Sequence, residues 1–150
     1  MSNKPHYLQP YQDAVHKYGG TFDATLWISK EGQRARFDVM RNFVDFEHCS
    51  ILDVGCGSGI FSEPIAKNNN VIGIDFSINM LRLAKEKQIY TIQAEASSLP
   101  FLSKSFDMVL CIEVLQYIPN CREFVTELTR VLKNNGQLIL SFPNASSIIR

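Results

Sequence analysis

Asp53, Gly55, Gly57, Gly59 and Asp75 are the residues whose types and spacing could do chemistry. The three glycines stand at alternate positions directly after the apolar run Ile51 to Val54. Glycine enters positive φ freely and lacks the Cβ that would keep a ligand off the peptide groups, so a strand feeding such a turn reads as a seat for an adenosine-like molecule. Asp75 closes the next apolar run twenty residues after Gly55, a spacing that suits a carboxylate accepting from both hydroxyls of a ribose. The competing reading makes Asp75 a strand-end acid that caps the following turn.

A nicotinamide-binding domain predicts the same acid, so the turn itself has to discriminate. The dinucleotide fingerprint needs Gly-x-Gly-x-x-Gly to bring a helix N-terminus against a pyrophosphate. Here the spacing is Gly-x-Gly-x-Gly, Ile60 occupies the position that pattern gives to glycine, and Asp53 stands two residues before the first glycine. An acid there repels a diphosphate and tolerates a cation.

The elements that must position these residues follow from hydrophobic periodicity. Apolar runs predict a first strand entering the turn, then strands over Val71–Asp75, Ile89–Gln93, Ser105–Ile112 and Gln137–Phe142. The fourth is continuously apolar from Met108, as expected of a strand covered on both faces. Helices are predicted over Gln33–Val44, with Phe37, Met40, Phe43 and Val44 on one face, and as a short piece carrying Ile60, Phe61, Ile65 and Ala66 around Pro64. Ser77 is a candidate cap for a helix with Met80, Leu81, Leu83 and Ala84. Asn120 with Glu123 resembles a capping box that opens a helix with Phe124, Leu128, Val131 and Leu132 and closes at Asn134–Gly136. Strands alternating with helices or loops imply an α/β parallel sheet.

The 150 residues fit one domain, divided into a lead-in (1–45) and a core (46–150). The lead-in is read as irregular through residue 30, an aromatic lid with Tyr7, Tyr11, Tyr18, Phe22 and Trp27. Fifteen basic and fifteen acidic side chains leave no electrostatic footprint for nucleic acid or an anionic membrane. With no apolar run long enough to span a bilayer and no apolar leader, the expected location is cytoplasmic. Cys49, Cys56, Cys111 and Cys121 lack metal-ligand spacing, so neither a metal nor a disulfide is expected, and Cys56 and Cys111 read as small buried fillers.

Five stretches in order carry a family resemblance: Asp53-Val-Gly-Cys-Gly-Ser-Gly59; Ile72 to Asp75 with Phe76, Ser77, Met80 and Leu81; Glu95-Ala96 with Leu99 and Phe101; Ser105-Phe106-Asp107 with Val109; and Leu132-Lys133 with Gly136. Together they resemble the class I S-adenosylmethionine-dependent methyltransferases, in the subgroup of ubiquinone, menaquinone and small-molecule methyltransferases. That resemblance implies a Rossmann-like sheet with helices on both faces and strand order 3-2-1-4-5, the five strands present of the usual seven. It implies that Gly55, Cys56, Gly57 and Gly59 cradle the methionine part of S-adenosylmethionine and that Asp53 aids its ammonium, directly or through water. By the same likeness Asp75 holds the ribose and Phe76 contacts the adenine. Met80 either joins Phe76 there or is plain core, and Glu95 with Ala96 lies beside the adenine amino group. The resemblance also implies that the Cys111-Ile112-Glu113 stretch passes under the sulfonium, with backbone carbonyls available to the ammonium.

Relatives often carry a His after the fourth strand; Tyr117 takes that place here, and His6 and His16 are the other candidates for a base, none of them assigned. Arg36 either reaches the cofactor carboxylate or is a solvated helix charge, and His48 is read as solvated. The partner expected is a small-molecule acceptor. Ending after the fifth strand leaves Leu138, Ile139, Leu140 and Phe142 on an open edge, so the expectation is either a piece of a longer enzyme or a homo-oligomer that covers the edge. The activity expected is methyl transfer, the alternatives being a cofactor-binding module with little activity and, behind it, an NAD-dependent oxidoreductase.

Overall fold

The computed structural model describes residues 9–18, 29–42 and 47–141. His6, Tyr7, Phe22, Trp27, Phe43, Val44 and Phe142 lie outside them. Five strands, β1 (Ser50–Val54), β2 (Asn70–Asp75), β3 (Tyr90–Gln93), β4 (Phe106–Ile112) and β5 (Leu132–Ser141), form one sheet in the order β3-β2-β1-β4-β5. Every pairing is parallel, as the sequence predicts. The order reverses between β1 and β4, and in such sheets a ligand crevice opens beyond the strand C-termini at that point.

Alternation along the strands sends side chains to two separate cores. Leu52, Val54, Val109 and Cys111 pack with Phe124, Leu128 and Val131 of helix α4 (Cys121–Val131) on one face. Ile51, Met108 and Leu110 pack with Phe61, Ile65 and Phe37 of helix α2 (Lys30–Asn42) on the other. Phe37 meets Phe61 edge to face with ring centroids 4.6 Å apart, which anchors α2 to the sheet. Helix α3 (Ile78–Glu86) starts where Ser77 accepts from the Met80 N–H, and it buries Met80, Leu81 and Ala84. Asn120 caps α4 by accepting from the Glu123 N–H at 3.4 Å.

Three expectations need correction. The lead-in, read as irregular, contains helix α1 (Gln9–Tyr18). The short helix around Pro64 is instead a run of turns over residues 60–67. Isolated helical bonds survive, Glu63 N–H to the Gly59 carbonyl and Ala66 N–H to the Ser62 carbonyl, but proline has no N–H to continue the ladder. The fifth strand starts at Leu132 rather than Gln137, because Leu132 pairs with Phe106 and Gln137 with Met108. Residues 133–136 therefore bulge opposite the single residue Asp107, turning through Asn135 at φ 66°.

That bulge is clamped at the N-terminal end of the sheet, away from the glycine turn. Asp107 accepts from the Ser50 N–H at 3.0 Å, from the Ser50 hydroxyl, and from Lys133 Nζ at 2.9 and 3.0 Å. The Ser50 bonds, then Lys133, hold its carboxyl down at about 2. A depressed folded-state value stabilises above the ordinary aspartate range and is lost as pH falls from about 4 towards 2. Asp107→Ala is expected to cost about 1 kcal/mol, discounted for its exposure. It should also flatten this acid limb; urea titrations at neutral and acid pH check both effects.

Candidate active site

β1 delivers Asp53 to the C-terminal end of the sheet and then breaks into the glycine turn. Gly55, Gly57 and Gly59 all have positive φ, at 75°, 53° and 76°. Two of the three also make room for protein rather than ligand. A Cβ on Gly55 would lie 2.3 Å from Val114 Cγ2, and one on Gly59 would lie 2.6 Å from Ile89 Cδ1 and 3.1 Å from Ala84 Cβ. The turn is thus packed from above by the β4 exit and from the side by α3 and the start of β3.

Four of its amide donors are engaged internally. Gly55 and Cys56 N–H both donate to the Ile74 carbonyl, at 2.8 and 3.0 Å, and Gly59 N–H donates to the Cys56 carbonyl at 2.9 Å. Gly57 N–H donates to Asp75 Oδ2 at 3.0 Å. The other oxygen of Asp75 accepts from Ser77 N–H at 2.8 Å, so the acid closes both its own turn and the glycine turn. The capping reading of Asp75 is seen directly, since it closes the following turn from the end of β2.

Asp53 and Asp75 are both buried, at 2% and 6% exposure. Asp53 accepts from the Ser62 hydroxyl. Burial pushes its carboxyl up to about 6, with Ser62 opposing and the charge of Asp75 adding to the rise. Burial likewise raises Asp75 to about 6 against the pull of the backbone N–H groups of Ser77, Gly57 and Phe76. Two carboxylates beneath a turn with no free amide among Gly55, Cys56, Gly57 and Gly59 make a seat for a cation, and they oppose a diphosphate.

The remaining predicted residues distribute as follows. Phe76 is half-buried beside Asp75, with its carbonyl held by Gln93 Nε2 at 2.8 Å. Met80 is 1% exposed and is buried on α3. Glu95 is exposed and Ala96 half-buried just after β3. Cys56 and Cys111 are buried thiols, and Ile112 is half-buried at the end of β4. Tyr117 ends a 3₁₀ turn (Leu115–Tyr117) after β4, whereas His16 is exposed on α1. His48 is exposed, as expected. Arg36 is exposed on α2, with its Nη1 2.9 Å from Glu113 Oε1. Among the described residues no cluster of His, Cys, Asp or Glu could hold a metal.

Sequence reading missed the supporting partners. Ser62 binds Asp53, and Lys87 Nζ donates to the Ser58 carbonyl at 2.7 Å, tying the end of α3 to the glycine turn. Neither has a local signal, because each contact closes a loop through the fold. Glu113, named with Cys111 and Ile112 from the sequence, directly follows β4, and its pairing with Arg36 is the part that no local pattern shows.

The methyltransferase domain family matches residues 52–140, from β1 through β5. A demethylmenaquinone methyltransferase of Lactococcus lactis is 36% identical over 115 residues, covering 69% of this chain and 46% of that protein. A ubiquinone biosynthesis O-methyltransferase of Coxiella burnetii is 32% identical over 101 residues, covering 63% of this chain and 43% of that protein. The crystal structure of a SAM-dependent methyltransferase from Methanosarcina mazei superposes with a TM-score of 0.60 at 32% identity, over 67% of this chain and 54% of that one. The chain therefore spans about half the length of the relatives it matches. Strand order and sequence agree: the chain belongs to the methyltransferase domain family, whose cofactor is S-adenosylmethionine.

Proposed function

We propose that this chain binds S-adenosylmethionine and takes part in transfer of its methyl group to a small-molecule acceptor. The observation that carries the reading is the glycine turn, with the amides of Gly55, Cys56, Gly57 and Gly59 satisfied internally and Asp53 and Asp75 buried beside it. When bound, S-adenosylmethionine supplies an activated methyl group on a sulfonium centre. Asp53 and the carbonyls of the turn favour the methionine ammonium, and Asp75 keeps acceptor capacity for the ribose hydroxyls. Phe76 and Ala96 give the adenine an apolar surface, with Glu95 beside its amino group. Cys111 and Ile112 form the floor, and their part is to align the acceptor and exclude water. Residues 1–45 serve as lead-in and lid to a core at 46–150. The names of the quinone-pathway relatives support a small-molecule acceptor.

Calorimetric titration with S-adenosylmethionine and S-adenosylhomocysteine, with NAD beside them, tests the cofactor. Binding of both sulfur compounds and none of NAD is expected; the reverse pattern sinks the reading. Screening a metabolite pool for methyl transfer then separates an enzyme from a cofactor-binding module, since binding without turnover favours the module.

A further inference from the structure

We propose that Arg36 is a positioning residue for the cofactor turn, acting through Glu113 and Val114; the inference rests on reading the glycine turn as the cofactor seat. Arg36 lies on α2, outside the matched residues 52–140. Its Nη1 is 2.9 Å from Glu113 Oε1, with the glutamate side chain only 12% exposed and the arginine 44%. Phe37, the next residue, is locked edge to face on Phe61, so Arg36 is presented from a fixed base.

Glu113 occupies the left-handed region at φ 58°, which a residue with a Cβ adopts only when its surroundings hold it there. Its N–H donates to the Ser141 carbonyl and hydroxyl, both at 3.1 Å. Its carboxylate accepts from the Ser141 hydroxyl at 3.1 Å and from Arg36. Helix α2, the exit of β4 and the end of β5 thus meet at one side chain. The reversed backbone at Glu113 sends the chain back over the glycine turn, where Val114 Cγ2 fills the space a Gly55 Cβ would need. Losing the ion pair frees Glu113 to relax to ordinary backbone angles and withdraws Val114 from Gly55. The site is set in part from outside the family's own domain.

The test is calorimetric titration of S-adenosylhomocysteine into the wild-type chain, Arg36→Gln, Arg36→Lys, Glu113→Gln and the Arg36→Gln/Glu113→Gln pair. Arg36→Gln is expected to weaken binding about three- to fivefold, and Arg36→Lys to restore most of that loss. The double variant should lose less than the sum of the two single losses, since the Arg36–Glu113 pair is lost once. Raising sodium chloride should weaken binding by the wild type and leave Arg36→Gln nearly flat, because an ion pair this exposed is screened. A role confined to stability would lower the melting temperature and leave affinity and salt response alone, which overturns the proposal, as do independent losses from the two substitutions. If the wild type fails to bind S-adenosylhomocysteine, the cofactor reading falls; if it binds and Arg36→Gln binds equally well, only the Arg36 assignment falls.

Discussion

Gly55→Ala is expected to lower folding stability by about 3 kcal/mol and to abolish measurable S-adenosylhomocysteine binding. Two costs combine. A residue with a Cβ held at φ 75° loses about 1–2 kcal/mol to left-handed backbone strain. The new methyl would also meet Val114 Cγ2 at 2.3 Å, and overpacking of this kind costs about 1–3 kcal/mol. Valine gives little relief, because its branched Cβ is stiff at χ1. Trimming that side chain separates the two costs. Gly55→Ala/Val114→Ala should recover about 1 kcal/mol over Gly55→Ala, leaving the strain part in place. Urea unfolding of the four proteins in the cycle measures this, and additivity of the two substitutions would refute the steric half of the account.

Asp53→Asn should make the protein more stable at neutral pH and a poorer cofactor binder. Burial and the charge of Asp75 raise the folded-state value of Asp53 to about 6, above its ordinary 3.8. The sign follows from proton uptake: between pH 4 and 6 the folded state holds more protons than the unfolded one, so stability falls as pH rises through that window. Above it the ionised Asp53 carries its full burial penalty. Asparagine keeps an oxygen for the Ser62 hydroxyl and never ionises, so a gain of about 1–2 kcal/mol is expected at pH 8, with little difference at pH 4. Affinity for S-adenosylhomocysteine should fall about tenfold, because the hydrogen bond to a charged acceptor is lost. Chemical denaturation at the two pH values, with titration at the higher one, decides; an asparagine variant less stable at pH 8 would show that Asp53 is held by stronger partners than Ser62.

The sheet was legible because its evidence is local. Apolar runs such as Met108 to Ile112 mark strands buried on both faces, and Ser77 and Asn120 cap where their side chains can reach the next turn. The positive φ of the three glycines and the strand-end placement of Asp53 and Asp75 were legible because spacing along the chain sets both. Less could be read where the cause is distant in the chain. Met80 had two readings until the packing of α3 made it core. Pro64 had to be weighed against helical periodicity, and the missing N–H won. The bulge at residues 133–136 depends on Asp107 capturing Lys133 across the sheet, and left-handed Glu113 depends on Arg36 and Ser141. No composition or periodicity encodes such pairings.

Gly73 lies within β2, and a Cβ there would come within 2.7 Å of Cys56 Sγ. The thiol is thereby sunk into the sheet beneath the turn, and burial with the nearby charges of Asp53 and Asp75 pushes its ionisation far upward. Cys111 is raised in the same way by burial and Asp53. A sulfonium is an electrophile, and a thiolate beside it would be an alkylation target. Held as thiols chiefly by burial, with the acids adding to it, these two sulfurs are poor nucleophiles and would resist alkylation by the sulfonium of the proposed cofactor.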